Sequence, residues 1–143
     1  MFFRRHKALV ILGIIFFILA IITLFFQQVK REELQNELAK VELQNVRIGA
    51  GTSIGKLGTA IFGVIQNNGE RTIKIATMSV YFFGEDGESS KLHKFFPVNN
   101  YSFSDSLPLK SGQSKEFGFL IDEIVPEDWD GTFTAKLIDL KFR

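Results

Sequence analysis

The hydrophobic pattern opens with an unbroken apolar run, Ala8 to Phe26, in which Thr23 is the one polar side chain and no residue is charged. About nineteen residues at 1.5 Å rise make a helix of roughly 28 Å, close to the hydrocarbon thickness of a bilayer. The run has no polar stripe, so a helix packed against a soluble core does not fit it. A cleavable secretory signal would carry a shorter apolar stretch, about 7–15 residues, closed by small residues. This run is longer and leaves through Leu24-Phe25-Phe26-Gln27-Gln28 without a small-x-small pair. The pattern predicts an uncleaved transmembrane helix over residues 8–26, in contact with the lipid bilayer, behind a short basic flank at 1–7.

The pattern then turns polar. Lys30 to Val41 contains no Gly or Pro, and Leu34, Leu38 and Val41 are spaced four then three. That spacing lines them on one helical face and predicts a helical stalk over residues 27–45. The apolar seam covers little more than one heptad, and Asn45 takes its next position. A polar stalk continuing the membrane helix is the favoured reading, with self-association through Leu34, Leu38 and Val41 as the alternative.

From Val46 the texture changes again. Gly49, Gly51, Gly55 and Gly58 suggest a flexible entry, after which alternation of period two predicts strands. Leu57–Gln66 reads as a strand apolar on both sides. Asn67-Asn68-Gly69-Glu70 reads as a tight hairpin turn, because Asn-Gly tolerates positive φ. Thr72–Phe83 follows, with an apolar phase that slips at Ala76 and so predicts a β-bulge. Further strands are expected over Lys91–Val98, Lys115–Ile121 and Thr132–Phe142, the last two joined by an acidic connection through Pro126 and Trp129. Short strands at such spacings, with no later helical period, predict an all-β domain over residues 46–143, built as an antiparallel β-sandwich.

Three stretches carry a family likeness: Gly63-Val64-Ile65-Gln66-Asn67-Asn68-Gly69, then Val80 to Gly87, then Leu109-Lys110-Ser111-Gly112-Gln113-Ser114 with Phe117. Together they resemble the FxLYD-type family of bacterial and archaeal extracytoplasmic domains. Phe83-Gly84 stands where that family usually has Tyr-Asp, and Lys110-Ser111 where it usually has Pro before glycine. The resemblance implies an immunoglobulin-like sandwich behind a single membrane helix. It says little about activity, because such motifs encode turns and core aromatics.

Charge sets an orientation and excludes some partners. Arg4, Arg5 and Lys7 precede the apolar run, whereas Lys30 and Arg31 beyond it are followed by Glu32, Glu33 and Glu37. The cation bias favours a cytoplasmic amino terminus in a cell (inner) membrane, with the carboxy-terminal domain periplasmic or extracellular. From Val46 onward eleven Lys and Arg face twelve Asp and Glu, so the domain has no basic stripe with which to neutralise nucleic-acid phosphates. There is no cysteine, so a packed core must hold the domain without disulfides.

Candidate chemistry is sparse. Of the two histidines, His6 lies in the flank and His93 has no nearby cysteine or histidine in sequence, which does not suit a zinc site. Alternate carboxylates at Asp128 and Asp130, before Gly131, make a calcium candidate. The competing reading is a solvated loop, since the twelve-residue calcium pattern is incomplete. No phosphate loop, nucleophile elbow or paired catalytic carboxylates can be assembled locally, so no enzyme activity and no cofactor is expected.

Aromatic residues carry more. Sixteen phenylalanines are many for one membrane helix and one small core. Phe95 and Phe96 are adjacent, so one ring must leave the face the other fills. Tyr101, Phe103 and Trp129 fall in expected loops. These five are candidates for partner contact, or they cap the open ends of the sandwich. Gly13 and Ala20, seven apart, could admit a neighbouring helix in the membrane. The sequence thus predicts a single-pass, membrane-anchored accessory subunit whose β-sandwich binds other membrane or extracytoplasmic proteins, the alternative being a ligand- or calcium-binding sensor module.

Overall fold

The apolar run lies inside one long helix, α1, Phe2–Leu38, of 37 residues. The structure is a computed structural model that describes residues 2–53, 55–85, 90–100 and 107–143. The chain divides into two compact units, Met1–Asn36 and Glu37–Arg143.

In the first unit, every large apolar side chain from Leu12 to Phe26 is exposed. The stretch from Leu12 is long and apolar enough to cross a membrane. Thr23, the polar exception, donates its hydroxyl to the Leu19 carbonyl at 2.8 Å, so no hydroxyl is left unbonded on the apolar surface. A membrane anchor is the physical reading of such a helix.

The second unit is a pair of three-stranded antiparallel sheets, the expected all-β sandwich. Its strands are β1 (Val41–Ser53), β2 (Lys56–Asn67), β3 (Ile73–Gly84), β4 (Ser90–Asn99), β5 (Ser114–Leu120) and β6 (Trp129–Phe142). One sheet has the order β1-β2-β5 and the other β4-β3-β6. Ile61 and Ile65 of β2 and Met78, Val80 and Phe82 of β3, all fully buried, meet in the core between the central strands.

The expected slip at Ala76 is a bulge. The register shifts between Ile73 and Ile75 against β6, with the extra residue on β3, so that the inward phase passes from Ile73 to Ala76. Further shifts follow between Ala76 and Met78 against β4 and between Thr77 and Met78 against β6, where the extra residue lies on the neighbouring strand and β3 keeps its alternation. Pro97 sits in the β4 bulge, on an edge strand, where its missing N–H costs no ladder bond.

Three expectations are corrected. The helix stops at Leu38 rather than Asn45: Lys40 donates its backbone N–H to the Glu37 carbonyl, and Val41 then pairs with Asn67 of β2. Val41 is buried in the sandwich, so Leu34, Leu38 and Val41 do not form a helical seam. Sheet pairing outweighs a helical propensity that was only weakly periodic.

The glycine-rich entry is not a loop. Gly49 and Gly51 belong to β1 and pair with Ala60 and Gly58, bringing the start of the domain back to residue 41 or before.

Finally, Asn67-Asn68-Gly69-Glu70 joins strands of different sheets rather than a hairpin, and none of these residues has positive φ. The Asn67 side chain organises this crossing. Its Oδ1 accepts from the Gly69 N–H at 3.0 Å, while its Nδ2 donates to the carbonyls of Arg71 and Leu109.

Candidate protein interface

The residues expected to act together are separated by the fold. On β4 the side chains alternate: His93 and Phe95 turn inward, Leu92, Lys94 and Phe96 outward. Phe95 is 6% exposed and stacks on Phe119 of β5 at 4.9 Å between centroids. Phe95 is therefore a core residue, and Phe96 is the member of the pair that faces out. His93 lies against Phe95 at 4.8 Å, and Phe117 against Phe119 at 5.8 Å. These four rings close one side of the sandwich by bridging its two sheets.

Trp129 is half-buried, edge-on to Phe82 at 5.7 Å, with its indole N–H donated to the Thr132 carbonyl at 2.8 Å. It caps the core at the start of β6. Tyr101 and Phe103 lie outside the described residues. Gly13 and Ala20 are on the exposed surface of α1.

The acidic connection is occupied by turn chemistry. Asp130 Oδ1 accepts both the backbone N–H and the hydroxyl of Thr132, each at 2.6 Å, and the hydroxyl bond is the main cause holding its carboxyl below the ordinary range. Gly131 follows at φ 91°. Asp122 receives the Thr59 N–H on both carboxylate oxygens at 3.0 Å, which lowers its pKa and ties the end of β5 to β2. Among the described residues no three His, Asp or Glu side chains lie close enough to hold a metal ion.

What the fold assembles instead is the outer face of the β4-β3-β6 sheet. Leu92 and Phe96 remain 47% and 46% exposed on β4. Tyr81 and Ser79 of β3 face the same way, beside Thr134 and Lys136 of β6. Ser79 is 3% exposed, and its hydroxyl has no hydrogen-bond partner among the described residues. It is flanked in register by Lys94 and Lys136. A buried hydroxyl without a partner is uncommon in folded proteins and calls for an explanation.

Sequence reasoning missed Ser79, Leu92 and Lys94. The period-two exposure of 92, 94 and 96 was readable, but the burial of Ser79 depends on neighbouring strands.

The other sheet is furrowed by open-sided grooves beside Phe62. One, of about 400 Å³, is lined by Arg47, Phe62, Val64, Glu116 and Phe117, and the Arg47 guanidinium lies over the Phe62 ring at 5.4 Å.

No curated protein and no solved structure matches the chain. A family model covers residues 1–137, spanning both the helix and the sandwich, and it is not the FxLYD type. The chain belongs to the family described as "Protein of unknown function (DUF2393)".

Proposed function

We propose that this chain is a single-pass, membrane-anchored accessory subunit whose β-sandwich binds other proteins of a membrane or envelope assembly. The observation that supports the reading is the outer face of the β4-β3-β6 sheet, where Leu92 and Phe96 stand exposed on β4. Large apolar side chains held exposed on a rigid strand suit a protein surface better than solvent. The amino terminus would be cytoplasmic and the sandwich outside, following the cation bias of residues 1–7. The sandwich would act by contact and not by chemistry, as no catalytic constellation is legible in the sequence.

Purification from native membranes in mild detergent is expected to recover stoichiometric partner proteins. Leu92→Ser with Phe96→Ser should lose them while leaving the melting temperature nearly unchanged, as expected for exposed positions. Ser79→Ala should leave capture unchanged and should not destabilise the fold, since the hydroxyl is shielded from any partner and makes no bond among the described residues. Recovery of the wild-type chain free of any partner, or equal capture by the double variant, would overturn the reading. Protease treatment of intact spheroplasts tests the orientation: the sandwich should be cut from outside.

A further inference from the structure

β6 is the longest strand of the sandwich, yet it is paired on one side only, by β3. Among the described residues no strand pairs with its other edge. Exposed edges recruit further strands, and proteins commonly blunt them with charge and bulges. β6 carries both devices, in Lys136, Asp139 and Lys141 and in the register shift between Leu137 and Asp139. Among the described residues neither Lys136 nor Asp139 forms an ion pair.

Which way each side chain faces follows from the β3 register. Phe133, Ala135 and Leu137 sit opposite buried Phe82, Val80 and Met78, so odd positions face inward. After the bulge the phase inverts, and Leu140 and Phe142 sit opposite buried Ala76 and Ile73. Thr134, Lys136, Asp139 and Lys141 therefore lie on the outward side.

A strand laid antiparallel to itself pairs each position with its mirror about a two-fold axis. Because the phase inverts at the bulge, an axis between 137 and 138 sets inward against inward and outward against outward. Position 133 then meets 142, 135 meets 140, 134 meets 141, and 136 meets 139. Moving the register by one residue sets core-facing side chains against outward ones. Moving it by two residues either brings Lys136 opposite Lys141 or leaves Asp139 opposite Thr134. Opposite charges directly across a sheet stabilise it, and like charges do the reverse.

We propose that the free edge of β6 pairs antiparallel with β6 of a second copy of this chain, with Lys136 of each copy facing Asp139 of the other. The charges that would repel an unrelated apolar strand are the ones this pairing satisfies, twice over by symmetry. The product is one continuous sheet with three strands from each copy. The inference does not rest on the proposed partner surface, although Lys136 also borders Ser79 on that face.

The test uses the full-length chain in mild detergent, with mass read by size-exclusion chromatography and light scattering. Wild type should be a dimer. Lys136→Asp and Asp139→Lys, each of which creates two like-charge pairs across the axis, should each halve the protein mass. The double exchange should restore the dimer, and mixing the two single variants should yield a heterodimer. Unchanged circular dichroism in each variant confirms that the substitutions on this edge strand have not unfolded the domain. The Leu92→Ser, Phe96→Ser variant should remain dimeric, which separates this result from loss of other partners. A monomeric wild type, a dimer indifferent to the single exchanges, or a double exchange that stays monomeric would each overturn the proposal.

Discussion

Asn67 is a buried polar residue whose hydrogen-bonding groups are all used. Its side chain bonds Gly69, Arg71 and Leu109, its N–H donates to the Gln113 carbonyl, and its own carbonyl accepts from Gly112. It therefore holds the crossing from β2 to β3 against the turn that precedes β5. Asn67→Ala would leave the buried Gly69 N–H without its acceptor and take one donor from each of the Arg71 and Leu109 carbonyls, the latter keeping the Ile73 N–H, at a cost of roughly 1–3 kcal/mol. Urea unfolding should show a lower midpoint with an unchanged slope.

Asp122 acts in the same structural way through charge. The Thr59 N–H bonds its carboxylate and lowers its pKa below the ordinary 3.8. The stabilisation is therefore present above that value and is lost as pH falls through the depressed folded pKa. Asp122→Asn should melt below wild type at neutral pH, with the difference closing in strong acid. Gly58 makes room for this contact, since a Cβ there would collide with the Asp122 carboxylate.

At the scale of elements, the two sides of the sandwich are not equivalent. On one side β4 and β5 are bridged by the aromatic run His93, Phe95, Phe119 and Phe117. On the other, β1 and β6 leave inward-facing Leu43, Ile48, Phe133 and Leu137 half-buried. Within β2, Gly63 lets the Phe117 ring lie against the backbone, where a Cβ would stand 2.6 Å from the ring. Removing the bridge by Phe95→Ala should destabilise the domain by about 3–5 kcal/mol, since the ring is buried and its cavity cannot fill from neighbouring strands. Phe96→Ala, one residue away and outward, should change stability by less than about 0.5 kcal/mol. Thermal or urea melts of the two variants give the comparison directly.

At the scale of the whole molecule, the anchor and the sandwich are separate units that meet different solvents. The exposed apolar surface from Leu12 to Phe26 would be untenable in water and suits lipid. Ile18→Lys with Leu19→Lys should move the protein from the carbonate-resistant membrane pellet to the soluble fraction, because each charge at mid-bilayer costs about 2.5–3.5 kcal/mol on insertion scales. The sandwich of the soluble variant should melt as before.

The anchor and the strand pattern were legible in the sequence because each rests on short-range periodicity. A run of apolar residues declares its own environment, and alternation through Thr72–Phe83, slip included, reports which face a strand buries. The end of the helix, the strand at residues 41–53 and the path of Asn67-Asn68-Gly69 were not legible. Each is decided by a partner distant in sequence: β2 captures Val41, and the Leu109 carbonyl helps hold Asn67. The candidate interface divides in the same way. Adjacent Phe95 and Phe96 announced that one ring must face out. Which one does, the burial of Ser79 and the open edge of β6 were settled only when two sheets closed around a shared core, since burial and edge position belong to the assembled strands and to no single segment.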